Sequence, residues 1–299
     1  MRTMKIIHYD NCPVCGSENI NVVLEAKDET VSKKVFEVWQ CADCSLRFTQ
    51  DVPDEKSIGA YYKSSEYISH TNTSKGLINK LYHWVRSFTL LSKRKLVKKS
   101  AGKSKDRLLD IGAGTGAFAS TMKKNGWDVT ALEPDETARA TAKKDFNIEL
   151  FPSENLFNLP PSTFEVITLW HVLEHVHQLH KYLDTFHSLL KEGGTLIIAV
   201  PNYTSYDAKK YITKWAAYDV PRHLYHFSPK SMETLLNSHH FKLVQQKPMW
   251  FDSFYVSLLS EKYKGKGSLL RAFVNGTISN FKTLSQPANC SSVIYIAKK

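Results

Sequence analysis

Residues 106–135 constrain the fold of this chain more than any other segment. Residues 107–111 (RLLDI) are a short apolar run suited to a parallel strand that is buried on both faces, and a glycine-rich turn follows them. The pattern then predicts a helix over residues 117–125 and a second strand over residues 127–133. These elements form a βαβ unit, which predicts an α/β fold with a mostly parallel sheet.

The residues around the glycine-rich turn indicate the cofactor. Gly112, Gly114 and Gly116 give G-x-G-x-G, whereas dinucleotide sites carry G-x-G-x-x-G. Asp110, just before the turn, would repel a diphosphate but would attract the ammonium and sulfonium groups of S-adenosylmethionine. Glu133 ends the second strand, where a carboxylate can accept hydrogen bonds from both ribose hydroxyls. The sequence therefore predicts S-adenosylmethionine as the cofactor.

This segment resembles motif I and the following acidic motif of class I S-adenosylmethionine-dependent methyltransferases. The resemblance continues through residues 163–169, where Glu165 replaces the usual aspartate, and through residues 189–198 (LLKEGGTLII). It implies a Rossmann-like, seven-stranded, mostly parallel sheet with helices on both faces, in which residues 148–151 form the third strand. The cofactor-binding residues that it implies are Asp110, Gly112, Ala113, Gly114, Gly116, Glu133, Pro134, Asn155, Leu156, Trp170 and His171.

Four of the five cysteines form two C-x2-C pairs near the N-terminus. Cys12 and Cys15 make the first pair, and Cys41 and Cys44 make the second. Each pair can direct two thiolates at one ion from a tight turn, so this spacing predicts a zinc ribbon. A disulfide framework is the alternative, but it is disfavoured in the reducing cytoplasm that we expect for this chain. Because cysteine fills all four positions, the zinc should be structural.

A third motif, His171, Glu174 and His175 in WHVLEH, matches the H-x-x-E-H pattern of inverted zinc peptidases. Such a peptidase needs both histidines on one helix. Here His171 is expected where the fourth strand ends and the loop over the cofactor begins, so the pattern does not predict a peptidase. We expect His175 and the neighbouring histidines to be packing or surface residues.

Residues 203–228 are rich in aromatic and polar side chains and follow a predicted strand. Open α/β sheets bind substrate at such a position, so this segment is called the flap. Together with the ribbon, the flap resembles in part the zinc-containing sugar C-methyltransferases, and the alignment places His223 on their catalytic histidine and Arg222 on their glutamate. His223 is the candidate general base, with His171 and His226 as further candidates, and Arg222 is expected to contact an anionic acceptor.

The predicted organisation has three parts: a zinc ribbon (residues 1–52), a helical cap with a basic linker (53–104), and the methyltransferase domain (105–299) with a helical insertion at 252–282. Within the cap, Tyr62 and Tyr67 are candidates for the pocket. No apolar run is long enough for a signal peptide or a membrane span, so we expect a cytoplasmic protein without a membrane partner. The formal net charge is +11, and residues 92–107 carry eight Lys or Arg and one Asp.

Three functions compete at this stage. The first is methyl transfer to a small molecule that could carry an anionic or sugar-type group. The basic linker would then be a solvated helix end. The second is methylation of RNA, which the basic linker favours. The third is a non-catalytic protein that binds S-adenosylmethionine and uses its ribbon to bind a partner. The sequence identifies neither the acceptor nor the oligomeric state.

Overall fold

A computed structural model describes residues 5–62, 77–102, 106–265 and 267–299, with only the backbone described for residues 77–84 and 86. The strands are β1 (Ile6–Ile7), β2 (Ile20–Lys27), β3 (Val35–Cys41), β4 (Arg47–Thr49), β5 (Val52–Pro53), β6 (Arg107–Ile111), β7 (Asp128–Leu132), β8 (Phe164–Trp170), β9 (Leu190–Pro201), β10 (Tyr225–His226), β11 (Lys242–Pro248) and β12 (Ser292–Lys298). The α-helices are α1 (Leu77–Ser100), α2 (Ala117–Lys124), α3 (Glu136–Phe146), α4 (Leu179–Leu189), α5 (Tyr206–Tyr211), α6 (Pro229–Ser238), α7 (Asp252–Tyr263) and α8 (Leu269–Thr283).

The largest sheet has six strands in the order β11-β12-β9-β8-β6-β7. Strands β7, β6, β8 and β9 are parallel, whereas β12 pairs antiparallel with β9 and β11 pairs antiparallel with β12. This mostly parallel sheet with an antiparallel edge is the Rossmann-like arrangement that the sequence predicts.

The third predicted strand, residues 148–151, differs from the expectation. It is reduced to a single bridge between Leu132 and Phe151, so the described sheet has six strands instead of seven. Asn147 ends α3 in the left-handed conformation just before this segment, and Pro152 precedes a 3-10 turn just after it. These two boundaries leave four residues, of which Ile148 and Leu150 are buried against Ala142 of α3.

Helices cover both faces of the sheet. Neighbouring residues of one strand point to opposite faces and therefore pack in different hydrophobic clusters. Leu108 packs in a cluster with Val97 of α1 and Met122 of α2. Its neighbour Leu109 belongs to a second cluster, with Phe186 of α4. Alternation of this kind buries both faces of β6, which explains why its sequence is a continuous apolar run.

The N-terminal ribbon and the flap share one sheet. Its order is β10-β4-β3-β2, and β10 belongs to the flap, with Tyr225 opposite Phe48 and His226 opposite Arg47. Further bonds join the two segments: the Tyr203 hydroxyl donates to the Ser45 carbonyl at 2.5 Å, and the Arg47 guanidinium donates to the Tyr218 hydroxyl at 2.7 Å. The predicted ribbon therefore packs directly on the flap.

Three further helices lie outside the central sheet. Helices α7 and α8 span residues 252–263 and 269–283, and α1 spans residues 77–100. Tyr67 lies outside the described residues. Among the helices that the structure describes, none is long and apolar enough to cross a membrane.

Candidate functional site

A cavity of about 400 Å³ opens at the carboxyl ends of β6 and β8. In open α/β sheets this edge is the usual position of a ligand. The glycine-rich turn forms one wall, and α1 and the start of α7 form others. The residues that line it are Val85, Thr89, Leu90, Lys93, Asp110, Gly112, Ala113, Gly114, Thr115, Ala117, Phe118, Trp170, Phe251, Asp252 and Tyr255.

The glycine-rich turn brings its backbone to the cavity. Gly114 has φ of 55°, in the left-handed region that favours glycine, and a Cβ at this position would meet no atom within 4 Å. A Cβ on Gly112 would instead overlap the side chain of Val172. The space beside Gly114 therefore opens into the cavity, whereas Gly112 is required by packing.

Asp110 lies at the floor of the cavity and is almost completely buried. Its carboxylate accepts a hydrogen bond of 2.7 Å from the Thr168 hydroxyl. Burial raises the pKa of Asp110 to about 7, although the bond from Thr168 and the charge of Lys93 both lower it. A cationic ligand would stabilise the ionised form of this buried carboxylate, so the site favours the binding of a cation.

Hydrogen bonds from the backbone, including one from the glycine-rich turn, position the Glu133 carboxylate. One carboxylate oxygen accepts from the Gly114 backbone N–H at 2.7 Å, and the other accepts from the Asp135 backbone N–H at 3.0 Å. Arg139 donates to the carbonyl oxygens of Glu133 and Pro134, which fixes the chain after β7. Each carboxylate oxygen retains acceptor capacity for a ligand hydroxyl.

The predicted adenine-binding residues occupy a 3-10 turn, Ser153–Asn158, next to the bridge at Phe151. Asn155 is partly exposed there, whereas the side chain of Leu156 is buried in the hydrophobic core. Any contact from Leu156 to a ligand would therefore come from its backbone. Neither residue lines the cavity described above.

Trp170 and Lys93 meet at the wall of the cavity. The Lys93 ammonium lies 4.3 Å from the centre of the Trp170 ring, and Phe118 packs edge-on against the same ring. Burial lowers the pKa of Lys93 to about 8, against the opposing effect of Asp110 and Asp252. The buried Trp170 Nε1–H has no hydrogen-bond partner among the described residues. Lys93 was missed as a site residue because it lies within the basic run of residues 92–107.

His171 is held between two carboxylates. Its Nε2 lies 2.8 Å from Asp252 of α7, and its Nδ1 lies 3.4 Å from Glu174. Burial lowers the pKa of His171, but the two carboxylates raise it by more, and the result is about 10. An imidazolium of this kind cannot accept a proton at neutral pH. The geometry therefore gives no support to the expectation that His171 is a candidate base.

Glu174, His175 and His223 form a second polar cluster close to His171. One potential ligand atom from each lies within 4.8 Å of the others, and the two imidazole rings pack edge-on with centres 4.6 Å apart. Glu174 is completely buried, and its carboxylate has no hydrogen-bond partner among the described residues. The sequence analysis predicted a packing role for His175, because His223, its neighbour in space, is 48 positions away in the chain.

The tautomers of both histidines follow from their partners. His223 Nδ1 lies 2.8 Å from the Ala217 carbonyl, and His175 Nδ1 lies 3.0 Å from the Arg222 carbonyl. A carbonyl can only accept, so each Nδ1 carries the proton and each Nε2 keeps its lone pair. Burial and the nearby His223 lower the pKa of His175 to about 4. The cluster therefore offers two imidazole lone pairs next to a carboxylate.

Arg222 is buried and fully engaged. Its guanidinium donates to Asp219 at 2.6 Å and to Asp28 at 3.1 Å, and it also donates to the Tyr61 carbonyl at 2.9 Å. Only about 1% of the residue is exposed. All three nitrogens of the guanidinium already donate to protein oxygens, so the structure gives no support to the expected contact between Arg222 and an anionic substrate.

The four predicted zinc ligands converge at the start of the ribbon. Cys12 Sγ lies 3.5 Å from Cys44 Sγ, and Cys15 Sγ lies 3.6 Å from Cys41 Sγ. Tetrahedral zinc with Zn–S bonds of about 2.3 Å separates its sulfur ligands by roughly 3.8 Å, whereas a disulfide joins them at roughly 2.05 Å. The spacing fits a metal site with four thiolates and does not fit disulfides.

The likeness to known proteins agrees with this architecture. A ubiquinone biosynthesis O-methyltransferase from Caulobacter sp. (strain K31) is 34% identical over 105 residues, which are 33% of this chain and 42% of that protein. The mitochondrial enzyme of the same name from Schizosaccharomyces pombe is 30% identical over 106 residues, covering 33% and 39%. The match thus spans less than half the length of these relatives.

A solved structure extends the likeness of the fold. Phosphoethanolamine N-methyltransferase 2 from Haemonchus contortus, in complex with phosphomonomethylethanolamine and S-adenosylhomocysteine, superimposes with a TM-score of 0.52 at 16% identity, covering 85% of this chain and 62% of that one. At this identity the likeness concerns the fold alone. The family model described as "Methyltransferase domain" matches residues 83–246, which is more than half of the chain. The chain therefore belongs to this methyltransferase domain family.

Proposed function

We propose that this protein transfers the methyl group of S-adenosylmethionine to a hydroxyl group of a small-molecule acceptor. The observation that carries the proposal is the cavity in which buried Asp110 and the open backbone at Gly114 lie at the end of a parallel sheet. The family match and the O-methyltransferase names of the curated relatives support this reaction class.

The charges of the cavity suit a cationic cofactor. When bound, S-adenosylmethionine supplies an electrophilic methyl group. Asp110 would attract its positive charge, while Glu133 at the other end of the glycine-rich turn would accept from its ribose hydroxyls. Lys93 opposes this attraction, but its pKa of about 8 means that it gives up its proton easily when a cation approaches. The buried Trp170 N–H remains available to an acceptor atom of the ligand.

The histidine cluster suits proton removal from the acceptor. Displacement at a methyl group depends mainly on positioning, and a general base adds roughly 10²- to 10⁴-fold to the rate. His223 Nε2 keeps a free lone pair and lies 4.0 Å from Asp219, whose carboxylate would stabilise the imidazolium once formed. We assign the base to His223 and a positioning role to Arg222 and His171.

RNA methylation is less well supported than the sequence suggested. The first two cations of the basic linker do not form a free basic surface. Lys93 lines the cavity, and Arg94 donates to Asn125 at 2.7 Å. Lys95, Lys98 and Lys99 remain exposed on α1. Arg222 is engaged in ion pairs and therefore does not support an anionic acceptor. The proposed acceptor class, a hydroxyl compound, rests on the O-methyltransferase names of the relatives.

Substitution of Gly114 should abolish cofactor binding. In the Gly114→Val variant a branched side chain would occupy the open space beside the turn, and calorimetry should detect no binding of S-adenosylmethionine. Gly193→Val is the matched control, because Gly193 also has a positive φ and open space around it but lies outside the cavity. Unchanged affinity in folded Gly114→Val protein would refute the site.

Cofactor affinity should depend on pH through Asp110. Below its pKa of about 7, cation binding must first remove a proton from Asp110, so affinity should rise several-fold from about pH 6 to about pH 7.5. Calorimetric titrations at several pH values measure this slope. The Asp110→Asn variant should bind more weakly and with a flatter pH dependence, and an equally steep slope in that variant would exclude Asp110 as its origin.

Turnover should depend on His223. We expect His223→Ala to lower turnover by ~10²-fold or more with cofactor affinity nearly unchanged, because the base acts only on the acceptor. Release of S-adenosylhomocysteine, measured with a panel of small phenols, alcohols and amines, provides the assay. The exposed His240 gives the control variant His240→Ala. If His223→Ala lost cofactor binding and unfolded early, the flap would be structural and the assignment would fail.

We also propose one structural zinc ion per chain, held by Cys12, Cys15, Cys41 and Cys44. Elemental analysis should find one zinc in the purified protein and less than one in Cys41→Ser, whereas Cys290→Ser, which changes a buried cysteine outside the cluster, should retain it. His223→Ala should also retain the full zinc content. Loss of zinc in His223→Ala with retention in Cys41→Ser would move the metal to the histidine cluster.

A further inference from the structure

Helix α8 packs on α7 through its small residues. Ala272, Gly276, Ser279 and Thr283 recur at helical spacing and are buried. A Cβ on Gly276 would lie 2.6 Å from Phe254 Cδ1 and 3.0 Å from Phe254 Cα, so the two helices approach too closely for a larger residue there. The inner face of α8 therefore has no room for large apolar side chains.

The large apolar residues of α8 are exposed to solvent. Leu270 is 73% exposed, Phe273 is 63% exposed and Phe281 is 67% exposed. Val274 and Leu284 are also exposed, and the spacings of three, four, seven and eleven residues place all five on one side of the helix. We call this set the outer face of α8. An ordinary surface helix has the opposite arrangement, with apolar residues inside and polar residues outside.

The charged residues in the segment that contains α8 have one sign. Residues 262–284 contain five Lys or Arg and no Asp or Glu. Arg271 and Lys282 are eleven residues apart, about three helical turns, so they lie along the same edge of the outer face. The Lys282 ammonium lies 5.6 Å from the centre of the Tyr206 ring, a contact that leaves its charge unneutralised. An apolar stripe with a cationic edge matches an anionic lipid surface.

We propose that the outer face of α8 docks on a membrane surface that contains anionic lipid. Leu270, Phe273 and Phe281 would enter the boundary between headgroups and acyl chains, while Arg271 and Lys282 contact the anionic headgroups. The charges disfavour an antiparallel second copy of this chain as the occupant, because such a symmetric pair would bring two cationic edges together. The expectation that the protein has no membrane partner considered only spanning segments, and surface docking needs none.

Docking on this face would place the cavity close to the membrane. Phe254 of α7 stacks on Phe273 of α8 with ring centres 5.6 Å apart, and Phe251, Asp252 and Tyr255 of the same helix α7 line the cavity. An acceptor dissolved in the lipid layer could then reach the site without crossing bulk water. This consequence for the acceptor rests on the proposed methyl transfer, whereas the docking itself does not.

Vesicle cosedimentation with the full chain tests the proposal. We expect binding to vesicles of phosphatidylcholine with about one third phosphatidylglycerol, weaker binding to pure phosphatidylcholine, and weakening by salt. The triple variant Leu270→Ser, Phe273→Ser, Phe281→Ser should lose binding by tenfold or more. Its matched control is Ile6→Ser, Val22→Ser, Val35→Ser, which removes three exposed apolar residues from the ribbon and should bind as before.

Several outcomes would overturn the proposal. Absence of vesicle binding by the folded protein would do so, as would equal binding by both triple variants. Equal binding to neutral and anionic vesicles that persists in Arg271→Gln, Lys282→Gln would refute the anionic surface. A dimer detected by light scattering, absent from the α8 variant and accompanied by no vesicle binding, would identify a second copy as the occupant. Calorimetry with S-adenosylmethionine on the same preparations separates these failures from failure of the proposed function.

Discussion

The buried ion pairs of Arg222 hold the proposed acceptor site together. The guanidinium joins Asp28 of the ribbon to Asp219 of the flap, and both Arg222 and Asp28 are essentially inaccessible to solvent. Removing one partner of such a group leaves an uncompensated buried charge, at a cost of roughly 3–5 kcal/mol. The backbone of Arg222 also accepts from His175, and His223 is the next residue. The orientation of both histidines therefore depends on a charge that the ribbon neutralises.

This dependence would give the ribbon an indirect role in the proposed methyl transfer. The Thr49 hydroxyl of β4 donates to the carbonyl of His223 at 2.7 Å, and β4 pairs with β10 just beyond it. Zinc bound by the four cysteines would fix the turns that carry β3 and β4 and, through them, the flap. A fixed flap would keep His223 in one position, as the base role that we propose for it requires.

A second network connects the cofactor cavity to the histidine cluster. Asp252 at the start of α7 lines the cavity and binds His171, and His171 in turn contacts Glu174 of the cluster. The chain of alternating charges keeps Glu174 ionised although it is completely buried, because the nearby imidazolium lowers its pKa. A change of charge in the cavity would thus alter the electrostatic environment of the histidine cluster.

The sequence by itself determined the βαβ unit, the cofactor turn and the cysteine spacing, because these features depend on residues that are close in the chain or repeat with a fixed period. It could not determine that Arg222 pairs with Asp28 or that His171 pairs with Asp252, since these partners lie far apart in sequence and only folding brings them together. The family resemblance also failed to predict the third strand correctly, because Asn147 and Pro152 shorten it to a bridge. Tertiary structure alone decided that large apolar residues of α8 face outward, because the close approach of α7 at Gly276 leaves only small residues inside.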